Sequence, residues 1–363
     1  MNPRTRAEIG SLELGGLQAL AAARTPEARQ ALFEQMVALL LDPNAALGAA
    51  ERRAMAALAG DLLRFAGQEA RAAAALRLAE ADDPPIELLT QLALDEIEIA
   101  RPLLAGDKLS DETLALVAQN GSEAHRCAIA GRSHLTDDIS ARIVEKDEIA
   151  SAQILAANQT ARLSAATLNR LASLSEKSES LANALVLRKD LSPVIAHRMF
   201  WWLTDAARRH VIEKHAVDLD DLERVLAEAG RNGIIKAPDS MAVRRLVDTI
   251  SMQSKMPISG LIEIMRQGSV EHFTWALCER LSIEFATGKR IVCDPGGQAL
   301  AMACKVLGTE KSQFINMFLV LDYKRSQRAR PVSDLAGISS IFDRVSISRA
   351  SASVALWDTL EKG

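Results

Sequence analysis

The apolar positions in the middle third of the chain follow a template. LSDETLALV begins at Leu109, LTDDISARI at Leu135, LSAATLNRL at Leu163 and LSPVIAHRM at Leu191, at intervals of 26, 28 and 28 residues. In each copy Ser or Thr follows the Leu, and an apolar residue stands eight positions after it: Val117, Ile143, Leu171 and Met199. Another stands four or five positions after it, at Leu114, Ile139, Leu168 and Ile195. Such spacing marks one face of an α-helix. Ser110, Thr136, Ser164 and Ser192 then read as N-caps, whose side-chain oxygens accept from free N–H groups of the first turn. Pro193 stands at N1, where a missing N–H costs nothing. The preceding leucines read as hydrophobic staples. The rest of each copy has room for a turn and a second short helix. The template predicts helical hairpins, each too thin to bury its own apolar stripe and therefore stacked on its neighbours.

Weaker copies flank these four. PIELLTQLALDEIEIARPLLAGDK, from Pro85, reads as an earlier unit, and Gly268, Ser269 and His272 repeat Gly121, Ser122 and His125 at an offset of 147. Residues 45–80 are dominated by Ala with Leu, Arg and Glu, the strongest helix formers. Aromatic residues are only 4% of the chain, so strand-forming composition is scarce. The expected fold is all-α: an α-solenoid of stacked HEAT-like hairpins over 81–230, an Ala-rich helical cap over 1–80 and a helical C-terminal domain of degenerate repeats over 231–363. EAGRNGIIKAPDS, at 228–240, is the expected linker.

The stretch EIEIARPLLAGDKLSDETLALVA, the Leu-Ser/Thr copies after it and IVCDPGGQALAMACKVLG resemble a bacterial family defined as domain of unknown function 2336. The likeness runs over roughly 50–325 and extends to HEAT-like and leucine-rich-repeat-variant helical arrays. It implies a helical repeat fold and supplies no catalytic residues.

Composition narrows the function classes. The chain has 363 residues, 48% of them hydrophobic, and a net charge of -4, enough apolar material for a large core. A balanced charge argues against nucleic acid as a partner. The opening MNPRTRAEIGSLELGG lacks an apolar leader core and no membrane-length apolar run follows, so the cytoplasm is expected. Cys127, Cys278, Cys293 and Cys304 form no CxxC pair, which suits buried free thiols. Phosphate-loop, dinucleotide, zinc-protease and serine-hydrolase motifs are all missing, so no catalytic residue, cofactor or metal is assigned and a non-enzyme is expected. His210 and His215 in HVIEKH fall about 140° apart round a helix and diverge.

Binding candidates come from the template's register. Phe200 falls in an apolar column, whereas Trp201 falls in a polar one with Gln119, Glu145 and Ser173. Trp201 is therefore either covered by a later helix or offered as an anchor to a partner. Lys108, Arg132, Arg162, Arg188 and Lys189 recur just before the next Leu. Cations there either offset the negative end of a helix or align, with Arg198, Arg208 and Arg209, into a ridge that receives an acidic protein. The functional expectation is a protein-binding scaffold or adaptor using a curved face. Its alternative is a regulator that binds a small anion or nucleotide messenger through CDPGG, at 293–297, and the basic run of Lys324, Arg325, Arg328 and Arg330.

Overall fold

The computed structural model describes residues 25–235 apart from 44 and 46, together with 258–326 and 332–362. Pro238, the second half of the expected linker, Arg328 and Arg330 lie outside them. Regular structure among the described residues is helical throughout, with no strand. The chain divides into two compact units, Met1–Arg162 and Leu163–Gly363, split where the third template copy begins.

The first unit contains α1 (Pro26–Leu40), α2 (Ala49–Leu62), α3 (Gln68–Glu80), α4 (Ile86–Ala93), α5 (Ile97–Ala105), α6 (Asp111–Asn120), α7 (Glu123–Ala130), α8 (Asp137–Val144) and α9 (Ile149–Ala157). After α1 the helices come in hairpins and stack in two rows. In one row α3 meets α5, α5 meets α7 and α7 meets α9; in the other α2 meets α4 and α6 meets α8. Short apolar stripes such as Leu88, Leu92, Ile99 and Leu103 are buried between neighbours, so each hairpin completes the core of the next. In α2 and α3 the inward positions are Ala56, Ala59, Ala70, Ala74 and Ala75.

The second unit continues with α10 (Ala165–Leu174), α11 (Glu179–Val186), α12 (Pro193–Met199), α13 (Asp205–Lys214) and α14 (Leu222–Arg231). Here α10 meets α12, α12 meets α14, and α11 meets α13. Its later helices are α15 (Ile258–Gln267), α16 (Val270–Leu281), α17 (Phe285–Cys293), α18 (Gln298–Val306), α19 (Lys311–Ser326), α20 (Val332–Arg344) and α21 (Ile347–Lys362). A core helix must be apolar on every side. Helix α18 qualifies: Ala299, Leu300, Ala301, Met302, Ala303 and Cys304 are all buried, and it touches α17, α19, α20 and α21.

The N-caps depart from expectation in an instructive way. Ser110 and Ser164 accept from the N–H of Thr113 and Thr167, both at 3.2 Å, whereas Thr136 and Ser192 occupy the cap position without a capping bond. The third helical residue differs. Thr113 and Thr167 hold the cap oxygen by hydroxyl contacts of 3.2 and 2.8 Å, and the corresponding residues of the other two copies are Ile139 and Ile195, which have no hydroxyl. The offset of 147 survives as geometry. Ser122 and Ser269 cap α7 and α16, and His125 Nδ1 and His272 Nδ1 each lie 2.8 Å from the serine oxygen. At Gly121 an added Cβ would lie 2.7 Å from the Val117 carbonyl, and at Gly268 2.6 Å from that of Ile264. Both turns need glycine because the backbone of the preceding helix closes over them.

All four cysteines are free. Cys278 and Cys304 are buried and Cys127 is partly covered, but Cys293, at the end of α17, is exposed, contrary to the expectation of a buried thiol there.

Replacing Ser164 by Ala removes a formed cap and is expected to cost about 1 kcal/mol. Ser192→Ala is expected to cost far less. Equal losses for the two variants in thermal denaturation would show that the neighbouring threonine does not decide which caps form.

Candidate functional site

The basic residues before each Leu follow the end of a second helix, and one of them, Arg132, serves the helix behind it. Arg132 donates to the carbonyls of Leu104 and Gly106 at the end of α5, and burial pushes its pKa down. Asn158 makes the equivalent reach after α9, its Nδ2 donating to Ala130 O at 2.9 Å and Arg132 O at 2.6 Å. His215, after α13, places Nε2 3.1 Å from the Val186 carbonyl at the end of α11. Helix ends leave four carbonyls unbonded, and these side chains satisfy them from the following hairpin.

The expected cationic ridge is therefore largely consumed inside the fold. Arg188 is 2% exposed and grips Asp190 with two bonds of 2.8 and 2.7 Å. Arg198 is half-buried and donates to the side chain and carbonyl of Asn169 at 2.7 and 3.1 Å, and burial lowers its pKa. Arg208 is buried, so it and Arg188 cannot meet an acidic protein as expected: desolvating a guanidinium demands internal partners, and both have them. Only Arg162, Lys189 and Arg209 of the set are exposed.

A second arginine series has a register that the sequence did not disclose, although Arg208 was already placed in the ridge. Arg71, Arg126 and Arg208 each stand four residues after the N-cap of a second helix, at Gly67, Ser122 and Thr204. Arg126 donates to Ala118 O and Gly121 O at the end of α6, and grips both oxygens of Glu148 at 2.6 Å. Glu148 is the N-cap of α9, the next second helix, where a carboxylate also meets the positive helix end. Arg71 likewise pairs with Asp95 and with Glu96, the N-cap of α5. Arg208 donates to Phe200 O at 2.9 Å and Trp201 O at 3.2 Å, but its carboxylate is Asp294 of the CDPGG turn. Asp294 is buried and also accepts from the backbone of Gly296 and Ala299 at 3.2 and 2.9 Å. The available signal was an arginine at a fixed place in the second helix with an acidic residue one repeat later.

The aromatic triplet is divided among three environments. Phe200 is fully buried, Trp202 donates from Nε1 to Ser175 Oγ at 3.0 Å, and Trp201 is half-buried. Trp201 lies 5.2 Å from the ring of Trp357 on α21 and 5.4 Å from that of Phe200, with the Arg290 guanidinium 5.7 Å away. A C-terminal helix thus packs its Trp357 against the tryptophan, which stays half-buried. His197, fully buried, lies 6.1 Å from Trp357, and burial pushes its pKa down to about 4.

The two described members of the basic run beside CDPGG, Lys324 and Arg325, bond to main-chain carbonyls. Lys324 Nζ donates to Met265 O and Gly268 O, both at 2.6 Å, and Arg325 to Val292 O and Asp294 O at 2.8 and 3.2 Å. Met265 and Gly268 match Ala118 and Gly121 at the offset of 147, so Lys324 meets the carbonyls that Arg126 meets in the earlier hairpin. His210 and His215 do not diverge: their ring centroids are 5.9 Å apart, because His215 is the C-cap of α13 and has left helical geometry. Among the described residues no group of three or more His, Cys, Asp or Glu could hold a metal ion, and no helix is long and apolar enough to cross a membrane.

What the second unit does offer is a groove of about 480 Å³ along α10, α12 and α14. Its walls come from the staple leucines Leu163 and Leu191, the apolar faces of three successive first helices, and the acidic turn that leads into α14.

The profile of the family described as an uncharacterised protein conserved in bacteria, DUF2336, matches residues 99–355, well over half of the chain, and the protein belongs to it. No curated protein and no solved structure matches.

Two outcomes follow. Arg208→Met strands the buried Asp294 carboxylate and is expected to cost about 3–5 kcal/mol, and combining it with Asp294→Asn to recover part of that loss. Strict additivity in urea unfolding would deny the coupling. For His197, the unfolded chain takes up a proton near pH 6.5 that the folded state refuses until about pH 4. Stability is therefore full above pH 6.5 and falls by up to about 3 kcal/mol as pH drops toward 4. His197→Leu should flatten that slope, leaving the smaller contribution of His215, whose pKa burial also lowers; an unchanged slope would remove His197 from the account.

Proposed function

We propose that the protein is a non-catalytic scaffold or adaptor, its template copies forming an α-solenoid of HEAT-like hairpins whose curved face receives a protein partner. The observation that carries this reading is the groove along α10, α12 and α14, built from successive copies of one template. Stacked hairpins of this kind create extended recognition surfaces without any catalytic apparatus. Cytoplasmic residence is part of the proposal, since four free cysteines suit a reducing compartment.

The groove takes the place of the cationic ridge as docking face. Of the ridge's eight side chains, Arg132, Arg188, Arg198 and Arg208 are bonded to main-chain carbonyls, Asn169 or carboxylates of the chain, and such bonds would have to break before an acidic protein could be met.

Affinity purification of the full chain from its native bacterium, followed by mass spectrometry, tests the reading. The expected outcome is a protein recovered reproducibly with the wild type. Repeated recovery of the bait alone would overturn it.

A further inference from the structure

The groove's own chemistry narrows the partner, an inference that rests on the scaffold reading. Its floor is apolar and well packed: Leu168, Leu191, Ile195, Val217 and Ala229 are all less than 5% exposed yet line the open volume. A space of about 480 Å³ is too small for a whole helix and suits the few side chains that one amphipathic helix projects from positions i, i+3 or i+4, and i+7.

The rim is acidic. The stretch VDLDDLERVLAE, residues 217–228, carries Asp218, Asp220, Asp221, Glu223 and Glu228 against the single cation Arg224. Three of these carboxylates, Asp218, Asp221 and Glu228, line the groove, and Asp190 joins them from the turn before α12. Asp190 is held by Arg188, Asp221 by Arg224 at 2.9 Å, and Asp218 lies 3.5 Å from Arg349. Glu228 stands exposed on α14, two turns beyond Asp221 along the groove, and the groove-lining Arg224 one turn before it interacts with both carboxylates. A carboxylate at a helix start is stabilised by the helix dipole, which accounts for Asp218, Asp220 and Asp221. It does not account for Glu228, which sits near the opposite end of α14.

We propose that this groove binds an amphipathic helix of a partner protein, with its apolar residues on the floor and Lys or Arg residues facing the Asp221–Glu228 rim. Apolar anchors supply the affinity, and the rim sets which helix is accepted and in which direction it lies. A small cationic metabolite is the competing occupant and fits less well, because the carboxylates are spread along α14 instead of converging on one point.

The test uses the full chain and a fluorescein-labelled 14-residue peptide of Leu and Lys with helical periodicity, read by fluorescence anisotropy. Binding is expected, with at least a tenfold loss for D221K/E228K. The variant E98K/E112K, which makes the same charge change on exposed residues of the first unit, is expected to bind as the wild type does. Circular dichroism and thermal midpoint confirm that both variants fold. The proposal is overturned by any of three results: no binding; equal weakening by both variants; or equal binding of a peptide of the same composition scrambled out of helical periodicity. Repeating the native purification with D221K/E228K separates the two levels. A partner retained equally by the variant sinks the recognition of a cationic helix by the Asp221–Glu228 rim while leaving the scaffold reading intact.

Discussion

Short helices have a problem with their ends, and the solution governs this structure. A helix of eight to ten residues leaves four carbonyls unbonded at its C-terminus, so roughly half of its acceptors need help from elsewhere. In this chain the help comes from long polar side chains reaching across hairpins. Arg132, Asn158 and His215 serve the end of the preceding second helix, Arg126 and Arg208 the end of their own first helix, and Lys324 and Arg325 the ends of α15 and α17. Apolar burial holds the hairpins together but has no direction. Hydrogen bonds to specific carbonyls fix which hairpin sits on which, and in what register.

That economy explains what the sequence could disclose. Helices and caps were legible because they depend on residues within four positions of one another: Leu before Ser or Thr, Pro193 at N1, apolar residues at helical spacing. Even there the pattern overreached, since Thr136 and Ser192 look like Ser110 and Ser164 until the threonine three places on is considered. The basic column was visible as a column, and Arg132 is the member that reaches a helix end. Its destination was not legible. The acceptors of Arg132 lie 28 and 26 residues back along the chain, and a main-chain carbonyl leaves no mark in a sequence. Arg126 and Glu148 did leave a mark, but in a single sequence a charge pair 22 residues apart cannot be told from two ordinary surface residues.

The groove along α10, α12 and α14 was hidden for a related reason. Its floor consists of residues that the template already assigns to the core, such as Leu168, Leu191 and Ile195, and nothing in their identity says that the row of first helices stays open above them. The rim is plain in the sequence as an acidic stretch, but an acidic start to a helix has an ordinary explanation. Only the placement of Glu228 beside buried Ala229, along the same wall as Asp221, joins charge to cavity.

Arg208 shows how a series of like parts can be brought to a stop. In the earlier hairpins the arginine at this place is answered by a carboxylate that the following hairpin brings with it. At Arg208 the answer comes from Asp294, a residue whose two backbone bonds lock it into the turn before the central helix α18. The hairpin of α12 and α13 is thus keyed to a turn outside the template copies. Loss of Asp294 would loosen two things at once, the grip on Arg208 and the start of α18, because one carboxylate holds both.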